Sequence, residues 1–244
     1  MKRLAMALLA CLLLCACAKQ EPVLPAAAEP QETESQEEKP TTERAAGYVA
    51  LTFDDGPSPR HTACLLDGLK ERGVHATFFL AGYRLAGNEA LVRRMKDEGH
   101  QIGNHSYGHA QLTALPRREA LEDLARCDLA LCTLLGEGDY WVRPPYGSIA
   151  EDTLSALDVP VICWSVDPLD WDTDDAGRIA SHIVQNAAHG DIILLHDCYA
   201  STVDAAMQAV DALQAKGLRF VTVKELLDLL GKEVKAGQIY YSGK

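Results

Sequence analysis

A regular alternation of short β-branched or aromatic runs with longer helical segments limits the folds open to this chain. Strands separated by helical segments are typical of parallel sheets, because parallel strands need a crossover between them. Several helical segments end at a glycine, the residue that favours a helix C-terminus. The pattern therefore predicts an α/β fold, either a barrel or a wound sheet. The seven predicted strands are Tyr48–Asp54, Ala76–Ala81, Gln101–Ser106, Trp141–Tyr146, Val159–Asp167, Asp191–Asp197 and Arg219–Val223.

The first 17 residues resemble a bacterial lipoprotein signal peptide. Lys2 and Arg3 precede an apolar stretch that is too short for a stable membrane span. The stretch ends in Leu14-Cys15-Ala16-Cys17, which is similar to a lipobox and implies cleavage before Cys17 and lipidation of its thiol. Lipid chains on Cys17 would hold the protein on the outer, extracytoplasmic face of a cell membrane. The alternative is secretion without a lipid, after cleavage close to the same point.

The rest of the sequence divides into a linker, a domain and a tail. Residues 18–46 contain seven Glu and four Pro but no aromatic residue, which predicts a disordered Glu/Pro-rich linker. Residues 47–231 are predicted as one domain with a sizeable core. Residues 232–244 are predicted as a short surface tail.

The charge and the cysteines exclude some classes of function. The chain has a formal net charge of −12. The part after the linker is itself acidic and lacks the clustered Lys and Arg that phosphate binding needs, so no nucleic-acid partner is expected. Five cysteines follow the linker, an odd number without zinc-site spacing, and whether any disulfide forms stays open. We expect a monomer.

Clusters of polar residues follow five of the predicted strands. The C-terminal ends of parallel strands lie on one face of an α/β fold, and the loops there build the functional site. We therefore expect the clusters to converge on one site. They are Asp54-Asp55-Gly56-Pro57, His105–His109, Arg143–Gly147, Asp167–Trp171 and His196-Asp197.

Two of these clusters favour a metal site. His105 and His109 are four residues apart, and Ser106 and Gly108 between them favour a loop over a helix. Asp54-Asp55 can supply a carboxylate as the third ligand. Two imidazoles, one carboxylate and an open position form a catalytic arrangement for Zn²⁺ or a similar ion. Adjacent aspartates that leave a strand point to different sides, so one can bind metal while the other acts as a base. Taken singly, the histidine pair could be incidental and the aspartates a capped turn.

Together the five segments resemble the ordered motifs of carbohydrate esterase family 4, the NodB-homology polysaccharide deacetylases. The resemblance covers residues 48–230 and implies a single distorted (β/α) barrel. The matching segments are Thr52–Pro57, His105-Ser106-x-x-His109, Arg143-x-Pro145-Tyr146-Gly147, Asp167-x-x-Asp170-Trp171 and Leu194-x-His196.

The resemblance implies a metal centre and two proton-transfer residues. Asp55, His105 and His109 would bind one divalent ion, with zinc expected first and cobalt, nickel or manganese also suited. Asp54 would be the general base, and His196 the general acid.

The resemblance also implies supporting residues. Arg143 would orient Asp54, and Asp170 would orient His196. The backbone N–H of Tyr146 would help to hold the oxyanion. Trp171 and Leu194 would form an apolar pocket for the acetyl methyl group.

The implied activity is hydrolysis of N-acetyl groups from an extracellular polysaccharide. The expected substrate is N-acetylglucosamine in peptidoglycan, or chitooligosaccharide. Alternatives are an O-acetyl esterase on xylan-like glycans and, more remotely, a non-catalytic glycan-binding lipoprotein. Outside the motifs, His100 is predicted to be structural, and Trp141 and Trp164 are predicted to pack in the core, with the alternative that Trp141 borders the cleft. Asp197 is predicted either to assist the site or to cap the next segment.

The mature N-terminus tests the anchoring hypothesis. Mass spectrometry of the protein from its native membrane should find a chain that begins at Cys17 and carries a lipid, because the lipobox-like segment directs cleavage there. An unmodified chain that begins at Ala18 would contradict this prediction.

Overall fold

Parallel strands around β1 (Gly47–Asp54) form the centre of the fold in this computed structural model, which describes residues 45–244. Residues 50–54 of β1 pair with β5 (Ile192–His196), and residues 47–50 pair with β6 (Leu218–Val221). Residues 52–54 pair with β2 (Thr77–Leu80), which in turn pairs with β3 (Gln101–Asn104). The predicted signal peptide, its Cys17 and most of the predicted linker lie outside the described residues. The strands are β1 Gly47–Asp54, β2 Thr77–Leu80, β3 Gln101–Asn104, β4 Val161–Ile162, β5 Ile192–His196, β6 Leu218–Val221 and β7 Ile239–Tyr240.

Single-residue bridges carry the parallel pairing from β3 round to β5. Val142 pairs with Asn104 on one side and with Val161 on the other, and Val166 pairs with Ile193. The ring of parallel pairings confirms the distorted (β/α) barrel. The helices are α1 His61–Glu71, α2 Glu89–Asp97, α3 Arg117–Leu135, α4 Glu151–Leu154, α5 Ala176–Asn186, α6 Ala200–Ala215 and α7 Val223–Leu229.

β1 is buried on both faces, as a strand at the centre of a parallel sheet should be. Val49, Leu51 and Phe53 belong to the main apolar cluster that the helices cover, whereas Ala50 packs in the smaller second cluster. Because successive side chains alternate between faces, Asp54 lies on the same side of the strand as Ala50. The strand therefore delivers Asp54 to the inner side of the barrel at its C-terminal end.

The predicted strand Trp141–Tyr146 is wrong, because only Val142 pairs as a strand residue. Pro144 and Pro145 have no backbone N–H to donate to a ladder, so the chain turns there. The predicted strand Val159–Asp167 is also shorter than predicted. It consists of β4, which follows Pro160, and a single bridge at Val166.

The predicted surface tail instead completes part of the barrel wall. β7 pairs in parallel with β4, and Ser242 bridges to Asp191. A two-residue strand is too short to leave a periodic pattern, which is why the sequence did not indicate it.

Two further observations concern residues 45–244. Their five cysteines are all unpaired; Cys127 and Cys163 are buried, and Cys127 belongs to the main apolar cluster. None of the helices in this range has both the length and the apolar character needed to cross a bilayer.

Candidate metal centre and active-site cleft

Asp55, His105 and His109 converge on one point at the C-terminal end of the barrel. Their ligand atoms lie within 4.8 Å of one another. Asp55 Oδ1 is 2.8 Å from His109 Nε2 and 3.3 Å from His105 Nε2. This oxygen is buried, yet it accepts no well-directed hydrogen bond from any residue in the range 45–244. Three donor atoms that lie this close together, one of them a buried oxygen, fit a bound divalent cation.

The protonation of His105 suits a metal ligand. His105 is buried, and its Nδ1 lies 2.7 Å from the Arg143 carbonyl oxygen. A carbonyl oxygen can only accept, so Nδ1 carries the proton and donates it. This bond leaves the lone pair of Nε2 directed at the candidate metal position, and it fixes the orientation of the ring.

The carboxylate and imidazoles of this site also interact electrostatically. Burial raises the pKa of Asp55, but His105 and His109 outweigh it and hold the pKa well below its ordinary value. Asp55 in turn raises the pKa of His109. The Asp55 carboxylate is therefore ionised at neutral pH, as a metal ligand must be.

Left-handed backbone conformations direct the ligand side chains. Asp55, Ser106 and His109 have φ angles of 70°, 59° and 57°, a region that residues with a Cβ rarely occupy. The turn at Asp55 separates the two neighbouring carboxylates: Asp54 stays on the inner side of the barrel, and Asp55 enters the cleft.

Asp54 is held by a guanidinium that is completely buried. Arg143 Nη1 donates to Asp54 Oδ1 over 2.8 Å and to Thr52 Oγ1 over 2.7 Å. The other Asp54 oxygen, Oδ2, is 3.8 Å from His105 Nε2. One oxygen of this carboxylate is thus fixed by Arg143, while the other faces the candidate metal position.

His196 and Asp170 form a hydrogen-bonded pair on the cleft wall. Asp170 Oδ1 is 2.8 Å from His196 Nδ1. Asp170 Oδ2 accepts hydrogen bonds from the backbone N–H of His196 and from Thr202 Oγ1. Burial lowers the pKa of His196, but the hydrogen bond and charge of Asp170 outweigh it and raise the pKa to about 9. The imidazole is therefore protonated at neutral pH, with Nε2 available toward the cleft.

A cleft of about 450 Å³ joins these groups. Tyr146, Trp171 and Leu194 line it, and residues Tyr146 and Trp171 are 67% and 54% exposed. Tyr146 has a φ of 60°, and no hydrogen bond within residues 45–244 uses its N–H. Arg143 and Asp170 do not line the cleft, because they lie behind the groups that they hold.

Several residues at the site were not indicated by the sequence. Trp164 packs against the second apolar cluster, as predicted, but it also lines the cleft and stands 5.6 Å from the Arg143 guanidinium. Tyr199 lines the cleft and follows the His196-Asp197 cluster, a position that could have indicated it. Thr202 supports Asp170 from the first turn of α6. Asp167, which belongs to the predicted Asp167–Trp171 cluster, also lines the cleft.

Other singled-out residues lie away from the cleft. His100 is structural, because it is buried, accepts from the Ala76 N–H and has a pKa that burial lowers to about 4. Trp141 is buried in the second apolar cluster. Asp197 is fully buried, accepts from Thr62 Oγ1, and packs against Gly56 directly under the Asp55 turn.

Comparison with known proteins identifies the family. A family model described as polysaccharide deacetylase matches residues 41–159. The peptidoglycan-N-acetylglucosamine deacetylase PgdA of Listeria monocytogenes is 36% identical over 193 residues, which are 79% of this chain and 41% of that protein. The peptidoglycan-N-acetylmuramic acid deacetylase PdaC of Bacillus subtilis is 39% identical over 178 residues, 73% of this chain and 38% of that protein. This chain thus spans about two fifths of the length of these two relatives.

Solved structures agree with this result. The structure of PdaC from Bacillus subtilis matches with a TM-score of 0.73 and 38% identity, over 75% of this chain and 91% of that one. A family 4 acetyl xylan esterase from Clostridium thermocellum, in complex with a cobalt ion, matches with a TM-score of 0.75 and 30% identity, over 80% of this chain and 98% of that one. The fold is that of the carbohydrate esterases. The chain belongs to carbohydrate esterase family 4, the polysaccharide deacetylases with a NodB-type fold.

The His196–Asp170 pair generates a prediction that NMR can test. In the metal-free protein, His196 should titrate near pH 9, and Asp170→Asn should bring its pKa down toward 6.5, because the amide supplies no negative charge. Since the folded pKa lies above that of the unfolded chain, protonated His196 stabilises the fold fully below about pH 6.5. This contribution disappears as the pH rises toward about 9.

Thr202→Val is the matched control, because it removes one hydrogen bond to Asp170 but keeps the charge. It should shift the His196 pKa less than Asp170→Asn does. An imidazole pKa that is the same in Asp170→Asn as in the wild type would show that the pair is not coupled.

Proposed function

We propose that this protein is a metal-dependent deacetylase that hydrolyses N-acetyl groups of an extracellular polysaccharide. The observation that carries the proposal is the joint placement of a His₂Asp ligand set, a separately held carboxylate and a carboxylate-bound imidazole around one cleft. Amide hydrolysis needs an activated water, a stabilised oxyanion and a protonated leaving nitrogen, and this cleft offers a group for each.

Asp55, His105 and His109 would hold the divalent ion. Such an ion supplies a water of lowered pKa and polarises the carbonyl group when it is bound. Zinc is the first expectation because two imidazoles, one carboxylate and an open position suit it, and the cobalt-bound relative supports a site that also accepts other divalent ions.

Asp54 would act as the general base. Arg143 restrains one of its oxygens by a hydrogen bond, so the other oxygen, Oδ2, can accept a proton from the attacking water. The geometry supports these two roles, because Asp55 Oδ1 lies close to both histidines whereas Asp54 is bound to Arg143.

His196 would act as the general acid. An amine leaves poorly unless it is protonated, and the Asp170 carboxylate keeps the imidazole charged at neutral pH. His196 donates the proton from Nε2, because Nδ1 is bound to Asp170.

Tyr146 and the apolar wall would bind the reacting acetyl group. The free N–H of Tyr146 would donate to the oxyanion. One such donor contributes about 2.7–4 kcal/mol in well-studied hydrolases. Trp171 and Leu194 line the cleft and would enclose the methyl group. A pocket of that size would reject larger acyl groups.

Peptidoglycan is the expected substrate, and N-acetylglucosamine the expected sugar. PgdA and PdaC, to which the chain is similar, are named for peptidoglycan, although for different sugars. Lipidation at Cys17 would keep the enzyme on the extracytoplasmic face of the cell membrane, next to the cell wall. The acetyl xylan esterase among the similar structures favours one second candidate, an O-acetyl esterase that uses the same residues on a better leaving group.

Acetate release from a panel of glycans tests the proposed activity. Protein stripped of metal and then reloaded with zinc should release acetate from peptidoglycan fragments or chitooligosaccharides faster than from acetylated xylan. Faster release from the ester would favour the esterase. Metal-loaded protein that releases no acetate from any acetylated glycan would refute both.

Substitutions separate the proton-transfer groups from the ligands. Asp54→Ala and His196→Ala should retain one zinc per chain but lose about 10²–10⁴-fold in turnover, the usual contribution of a general acid or base. His105→Ala should lose both metal and activity, because it removes a ligand.

His182→Ala is the control for these variants, since His182 is an exposed histidine on α5. It should keep wild-type metal content and rate, as measured by elemental analysis beside the acetate assay. Full turnover in Asp54→Ala would contradict the assignment of the base.

A further inference from the structure

A carboxylate outside the ligand set holds the backbone of the loop between the two histidines. Asp123, on α3, accepts the Tyr107 N–H at Oδ2 over 3.1 Å and the Gly108 N–H at Oδ1 over 3.1 Å. The Gly108 N–H also lies 3.2 Å from Oδ2. One side chain thus binds two consecutive amides of the five-residue segment that begins at His105 and ends at His109.

The loop needs such support because its own conformation is unfavourable. Ser106 and His109 are left-handed residues without the freedom of glycine, with φ angles of 59° and 57°. Inside the loop, the His109 N–H donates a hydrogen bond to the Ser106 side chain, at Oγ, over 3.0 Å. External hydrogen bonds must therefore maintain the geometry.

Neighbouring residues of α3 hold the same segment. Asn104, at the end of β3, donates from Nδ2 to the Leu124 carbonyl oxygen over 2.9 Å and accepts the Ser106 N–H at its own side-chain oxygen over 2.9 Å. The Arg126 guanidinium lies 3.6 Å from the centre of the Tyr107 ring. The helix therefore contacts the loop at its start and at its middle.

The two histidines differ in how firmly they are held. The ring of His105 is fixed by its hydrogen bond to the Arg143 carbonyl. Within residues 45–244, no hydrogen bond reaches Nδ1 of His109, whose ring contacts His105 and Tyr146 only through their faces and edges. The position of the His109 ring relative to Asp55 and His105 depends on the loop backbone.

We propose that Asp123 is a positioning residue of the metal centre: through the Tyr107 and Gly108 amides it sets the place of His109 in the ligand set. The proposal rests on the metal-binding role of Asp55, His105 and His109. Asp123 does not touch the candidate metal position, so its effect is on affinity and not on the number of ligands.

Zinc affinity of the purified metal-free protein tests this role. Asp123→Ala should weaken zinc binding about 10–100-fold, the usual effect of losing a group that orients a ligand. Asp123→Asn should weaken it less, because the amide oxygen still accepts one of the two N–H groups. Competition with a chromophoric chelator gives the dissociation constants, and the melting temperature of each metal-free variant is measured beside them.

Glu122→Gln is the matched control. Glu122 precedes Asp123 on α3, carries the same charge and, among residues 45–244, forms an ion pair only with the exposed Arg118, 3.6 Å away. It should bind zinc within about twofold of wild type, since it orients no ligand. The zinc concentration for half-maximal acetate release should rise in the Asp123 variants in parallel with the dissociation constant.

The possible results are distinct. Wild-type zinc affinity in Asp123→Ala, or in Asp123→Asn if the alanine variant does not fold, would overturn the proposal, even if the melting temperature falls. In that case Asp123 would only stabilise the contact between α3 and the loop. A wild-type protein that binds no zinc would instead refute the metal centre itself.

Discussion

The buried guanidinium of Arg143 is the interaction on which the site depends. Burying an unpaired charge is so unfavourable that losing one partner of a buried pair costs about 3–5 kcal/mol. Here every nitrogen of the guanidinium donates a hydrogen bond: Nη1 donates to Asp54 and Thr52 of β1, while Nε and Nη2 donate to the carbonyl oxygens of Ile162 and Cys163. The Arg143 carbonyl also fixes His105. One residue thus joins two walls of the barrel, orients the Asp54 carboxylate and sets the tautomer of His105, one of the three proposed metal ligands.

The backbone around the cleft is less relaxed than the rest of the chain. Five residues other than glycine have positive φ angles within residues 45–244, and all five lie in the polar segments after strand ends: Asp55, Ser106, His109, Tyr146 and Leu169. Each such conformation costs of order 1–3 kcal/mol and persists only where the surroundings enforce it. The barrel supplies that stability through its buried strands and their apolar clusters. The strained residues are those whose side chains or amides face the cleft, or that lie beside residues that do.

The sequence indicated the parts of this arrangement that follow from local patterns. Alternating strands and helices predict the barrel, and because parallel strands end on one face, the clusters at Asp54, His105, Arg143, Asp170 and His196 could be expected to meet. Prolines shortened the strand around Arg143, and β7 was too short to leave a pattern. Supporting residues such as Asp123 and Thr202 lie on helices, and their partners follow from tertiary packing that periodicity does not encode. Trp164 illustrates the same limit, because an aromatic residue near a strand end can face the core, the cleft or both.

The proposed chemistry requires that Asp55, His105 and His109 bind one divalent cation. A crystal structure of the zinc-loaded protein, with anomalous scattering recorded at the zinc edge, would locate that ion. We expect one zinc per chain, with both imidazole Nε2 atoms and an Asp55 oxygen at about 2.0–2.2 Å, and with Asp54 near the ion but still bound to Arg143. Zinc bound elsewhere, or bound without one of the three ligands, would contradict it.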